Sequence, residues 1–224
     1  QSGVLIVSGT TTLTADTGTG QVFDLSTENN DFGVVVLATA NAGTITTASV
    51  TDAVDGMSIG GSAGTLTAVA ADQLTLTGGT YTTLNATSKA SGIDQSGVLI
   101  VSGTTTLTAD TGTGQVFDLS TENNDFGVVV LATANAGTIT TASVTDAVDG
   151  MSIGGSAGTL TAVAADQLTL TGGTYTTLNA TSKASGIDQS GVLIVSGTTT
   201  LTADTGTGQV FDLSTENNDF GVVV

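Results

Sequence analysis

The chain repeats itself without a single substitution. The hexapeptide Gln1-Ser2-Gly3-Val4-Leu5-Ile6 returns from residue 95 and again from residue 189, an offset of 94 both times, and residues 189–224 reproduce 1–36. Identity at a fixed period means that each unit buries its apolar face against its neighbours, because no unit differs from the next. The organisation expected is a linear array: repeat unit one at 1–94, unit two at 95–188 and a partial unit three at 189–224. These form one continuous solenoid without visible caps rather than separate globular domains.

Within one unit the local pattern is that of strands. Gln73-Leu74-Thr75-Leu76-Thr77 alternates strictly, with the leucines to one side and the threonines to the other, and Gly64-Thr65-Leu66-Thr67-Ala68 reads the same way. Val22-Phe23-Asp24-Leu25 places Phe23 and Leu25 inside, and Phe32 is a further core filler. Gly3-Val4-Leu5-Ile6-Val7 and Gly33-Val34-Val35-Val36-Leu37 are unbroken apolar runs, which predict strands covered on both sides. No 3.6-residue apolar stripe supports a helix, and the abundance of Thr, Val and Gly opposes one. Turn chemistry separates the strands at Thr17-Gly18-Thr19-Gly20, Glu28-Asn29-Asn30-Asp31, Asn41-Ala42-Gly43, Gly60-Gly61 and Gly78-Gly79.

Short strands, tight corners and a fixed repeat suit a parallel β-helix. A propeller blade carries Trp or other aromatic signatures, and tryptophan is absent here; a sandwich has no reason to repeat unchanged. The class expected is all-β, with about four coils of roughly 20 to 25 residues per repeat. These would begin near Val7, Val35, Ile59 and Thr82. At about 4.8 Å per stacked strand one repeat would rise roughly 19 Å.

The segments Gly9-Thr10-Thr11-Thr12-Leu13-Thr14-Ala15, Asn29-Asn30-Asp31-Phe32-Gly33, Gly64-Thr65-Leu66-Thr67-Ala68 and Asp94-Gln95-Ser96-Gly97-Val98-Leu99-Ile100 occur in that order. The set resembles the repeats of giant bacterial surface adhesins of the filamentous haemagglutinin type, which leave the cell by two-partner secretion. The resemblance spans the whole repeat and implies a right-handed β-helical shaft, secreted and held at the cell surface or in an extracellular filament. It brings adhesion only by association.

Charge limits the partners. Twenty acidic residues against Lys89 and Lys183 give a net charge of −18, which disfavours nucleic acid and anionic membrane surfaces. No apolar run nears the roughly 20 residues of a membrane span, so membrane insertion is not expected. The partners expected are further copies of the repeat, in a longer chain or in laterally associated chains. The sequence stops inside an apolar strand at Val222-Val223-Val224, and the expectation is a window cut from a longer array.

Without His or Cys there is no nucleophile–His–acid triad, and zinc loses its two commonest ligands. No enzyme is expected, and no cofactor. Calcium is the one metal with oxygen ligands to hand, in Glu28, Asn29, Asn30 and Asp31 and in Asp52 and Asp55. The competing reading is that an Asn-rich corner caps its own backbone.

The Thr-x-Thr pairs raise a second function: a multivalent binding module for glycan or ice on a repeated Thr-rich face. Thr12, Thr14, Thr65 and Thr67 are its candidates, with Tyr81 as a sugar contact. Threonine also suits any exposed strand face, and the unequal intervals from Thr12 to Thr44 and from Thr44 to Thr65 argue against one aligned array. The leading expectation is structural: a segment of a long fibre or adhesin shaft, stiffened by stacked backbone hydrogen bonds and an aliphatic core.

Overall fold

The computed structural model describes all 224 residues and contains fifteen strands and no helix. Every strand pairing is parallel and the strands join in a single sheet wound on itself, a β-solenoid of about ten turns. Three faces make up each turn. In the first turns these are the strand Ile6–Ala15, whose main part (10–15) forms the first face, the early part of Gln21–Thr39 on the second, and Asp31 with Phe32 on the third.

Side chains alternate as the sequence pattern requires. One row points into the axis and stacks on its equivalents above and below, giving a single core of 45 buried residues. On the second face the stack runs Phe23, Ala48, Leu66, Leu84, Thr105, Val129. On the first it runs Met57, Leu74, Ile93, Phe117, Ala142, Leu160, Leu178, Thr199, beside the column of Thr10, Val34 and Ser58. Each fully buried aliphatic side chain contributes about 1.5–3 kcal/mol of transfer free energy. Phe32, Phe117 and Phe126 are fully buried, as expected of core fillers.

Turn lengths are unequal, and this moves the coil starts. Val35 does stack on Ile59, but the turn after Ile59 returns at Leu76, not Thr82, and the turn before Val35 passes Thr11, not Val7. Thr11 to Val35 takes 24 residues, whereas Met57 to Leu74 takes 17. The difference lies in the corners, some of which are loops and some single bends. The tight bends use glycine. Gly61 and Gly79 stack at one corner with φ of 115° and 148°. A Cβ on Gly79 would lie 1.7 Å from the Gly61 carbonyl oxygen, so only glycine fits.

The apolar runs are not covered on both sides. Leu99 and Val101 are buried, but Ile100 between them is 42% exposed, and Val34 and Val36 are only half-buried. A single-layer solenoid has one inside, so alternate residues of even an all-aliphatic run face outward.

The repeat is longer than four turns. Leu13 pairs with Leu37, Leu37 with Gly61, Gly61 with Gly79 and Gly79 with Leu99, four turns in 86 residues (99 − 13). The 94-residue period exceeds this by eight residues, enough for one further face. Those eight residues lead from Leu99 to Leu107, the copy of Leu13, which stacks on Ala86 in the second face, so each copy is set about half a turn round from the last. The stack Phe23–Ala48–Leu66–Leu84 lies on the second face, while its copy Phe117–Ala142–Leu160–Leu178 continues the first-face stack begun by Met57.

Candidate functional site

The corner between the second and third faces gathers acids. Asp31, Asp52 and Asp55 bring carboxylate oxygens within 4.8 Å of one another, and Asp125, Asp146 and Asp149 do the same in the second copy. Stacking causes the meeting: Asp31 enters the third face one turn before residues 52–55 round the same corner. Asp52 is fully buried and its oxygens are engaged. Oδ2 accepts from the Phe32 amide at 2.6 Å, and Oδ1 accepts from the Val54 and Asp55 amides at 2.8 and 3.0 Å. It caps the corner's backbone in the manner of an Asx turn. Asp55 is exposed, and its carboxyl lies above the usual range, first through loss of hydration and then through the charges of Asp52, Asp31 and Asp72. Asp125 is raised similarly, by lost hydration and then by Asp149 and Asp146.

The other oxygen-ligand candidates do not join this trio. Asn30 is buried, with Oδ1 accepting from the Leu5 amide at 3.0 Å and Nδ2 donating to the Leu25 carbonyl at 2.9 Å. Its amide is spent on the backbone. Glu28 lies outside the group of converging carboxylates, and Asn29 is exposed beside the buried Asn30. The trio thus offers Asp31, Asp55 and the remaining lone pair of Asp52, well short of the six to eight oxygens calcium takes without water.

The Thr-face candidates fall apart in space. Thr12 and Thr14 sit on the first face beside Val36 and Ala38, whereas Thr65 and Thr67 sit on the second between Thr47 and Ser49 on one side and Thr83 and Asn85 on the other. They do not align into one array. Tyr81 corrects the expectation of an exposed aromatic. It is 2% exposed and packed in the core, because residue 81 falls on an inward position stacked between Ala63 and Val101. Burial pushes its phenol well above the ordinary value.

A groove not foreseen from the sequence opens at the corner between the first and second faces, at equivalent places in both complete copies. In the second copy it has a volume of about 380 Å³, with Thr133 and Thr138 above, Ser156, Thr174 and Thr176 along its wall, and Ile194 at its foot. The first copy's groove, about 300 Å³, has Thr39, Thr44, Ser62 and Thr80 at the matching positions. Its cause is a change of corner length. Nine residues separate Leu37 from Thr47, but only three separate Gly61 from Thr65 one turn later, and three separate Gly79 from Thr83. The loop at 40–44 therefore projects as a ledge over two cut-back turns. The unevenness of glycine and Thr spacing between 37 and 65 was the only sequence sign of it.

A family of repeats of unknown function (DUF5649) matches residues 1–39, 61–133 and 155–224. The chain belongs to this family. Each DUF5649 match breaks off at the same place, after Thr39 and Thr133, and resumes at Gly61 and Gly155. The unmatched stretches, 40–60 and 134–154, each amount to about one turn of this solenoid and include the projecting ledge. No curated protein and no solved structure matches the chain.

Proposed function

We propose that the chain is a length of structural shaft from a long extracellular fibre or adhesin, with a mechanical role and no catalysis of its own. The observation that carries this reading is the seamlessness of the repeat junction. Leu76 pairs with Gln95 and Gly79 with Leu99 across it, in the same parallel ladder and over the same core as the turns within a repeat. Nothing interrupts the stack, so any number of repeats forms one rod. The likeness of the repeats to haemagglutinin-type shafts supports placing that rod outside the cell, and the net charge of −18 suits a polymer that must stay soluble beside its neighbours.

Electron microscopy of arrays with two, four and eight repeats tests the shaft. Contour length should grow by about 21 Å per added repeat at constant width; compact particles that thicken instead would overturn it. Labelling of intact source cells with an antibody to the repeat tests the location separately. Signal only after lysis would move the shaft inside the cell.

A further inference from the structure

We propose that the groove beneath the 40–44 and 134–138 ledges is a binding site for a neutral oligosaccharide. This goes beyond the shaft reading and does not depend on it. Three observations carry it. First, no charged side chain lines the groove in either copy, in a chain with twenty acids. Such a lining admits an uncharged ligand without desolvating a carboxylate.

Second, the lining has the two chemistries a sugar presents. The hydroxyls of Thr133, Ser156, Thr174 and Thr176 surround the second groove and are exposed, and none bonds to a protein partner. Each can donate and accept. Between them lies the side chain of Ile194, 43% exposed, against which the C–H face of a pyranose can rest, with Ile139 and Ala157 buried beneath the groove. Third, the shape is built by fixed elements. Floor and walls are strands of the sheet, and the ledge is tied down by Gly114, whose amide donates to Thr138 Oγ1 at 2.8 Å, just as Gly20 donates to Thr44 Oγ1. A volume of 300–380 Å³ lies at the small end of ligand sites, suited to two or three sugar units held weakly.

The half-turn offset between copies places successive grooves on opposite sides of the rod. A long glycan surface would therefore be engaged through many weak sites, gaining by avidity.

Calorimetric titration of the 224-residue chain with neutral tetrasaccharides (maltotetraose, cellotetraose, chitotetraose) and with acidic tetragalacturonate is the test. At least one neutral probe should bind saturably, in the millimolar range, with two equivalent sites and little response to salt. Ser62→Arg with Ser156→Arg, at exposed positions, should cut that affinity at least tenfold while leaving the melting temperature unchanged. Methyl resonances of Ile139 and Ala157 should shift during the neutral titration. Failure of every neutral probe to saturate, tighter binding of the acidic probe, or binding indifferent to the paired arginines would each overturn the proposal.

Discussion

Gln95 and Asn124 exchange side-chain amides across two stacked turns: Gln95 Nε2 donates to Asn124 Oδ1, and Asn124 Nδ2 donates back to Gln95 Oε1 at 3.1 Å. The same Asn124 accepts from the Leu99 amide at 2.9 Å and donates to the Leu119 carbonyl at 3.0 Å. Both side chains are buried, so four polar groups depend on one amide. Asn124→Ala should lower stability by about 3 kcal/mol, since each orphaned buried group costs about 1–3 kcal/mol. Urea unfolding measures this, and amide exchange at Leu99 should accelerate with it; unchanged protection at Leu99 would show that water replaces the amide.

Thr105 occupies an inward position in the second-face stack, between Leu84 and Val129. It is fully buried and its hydroxyl has no partner, as is the case for Thr199 one repeat later. Thr105→Val keeps the shape and removes the unmet hydrogen-bonding demand. A gain of about 1 kcal/mol is expected, read as a rise in melting temperature, and Thr105→Val with Thr199→Val should give more. A fall would mean that the hydroxyl is satisfied in solution.

Asp55 has its carboxyl raised above 3.8, the ordinary value, by lost hydration and by its acidic neighbours. A folded state that holds its proton more tightly than the unfolded chain is favoured at low pH. That advantage disappears as pH climbs past 3.8 through the raised folded value. Asp24 has the opposite sign: its hydrogen bonds from the Ser26 side chain and amide lower its pKa, so its contribution holds above 3.8 and is lost as pH falls through the lowered value. Asp55→Asn with Asp149→Asn should flatten the decline in melting temperature as pH climbs from 3.8 through the raised folded value of Asp55, and leave it higher above that window. An unaltered pH profile would mean that the corner acids do not interact in solution.

Gly79 tests the glycine stack. Its φ is 148°, and a methyl group added there would sit 1.7 Å from the Gly61 oxygen, so Gly79→Ala must push two turns apart. A loss above about 3 kcal/mol is expected, combining backbone strain with disrupted stacking. Gly9→Ala, where nothing lies within 4 Å, should be near neutral. Equal effects at both positions would remove the stacking argument.

Much of the fold could be read from alternation. Leu74 and Leu76, Leu66 and Ala68, and Phe32 all point inward where period two places them. What alternation could not supply was corner geometry. Tyr81 reads as an isolated aromatic among threonines until the register after Gly79 sets it between Ala63 and Val101. Asp52 and Asp31 are 21 residues apart, and only the length of the intervening turn brings them together. The groove is less legible still, because it is made by the difference between two consecutive corners and by no residue in particular.

The extra face in each repeat bears on how such a rod responds to force. Were the period a whole number of turns, every ledge and every glycine bend would line up along one edge, and the rod would have a weak side. Two copies, 188 residues, pass before a feature returns to the same side, about 43 Å along the axis: Thr11 lies on the first face, its copy Thr105 on the second and Thr199 on the first again. Soft and stiff edges alternate between opposite sides, so no single side draws the rod into a curve. The array gains straightness from a remainder of eight residues.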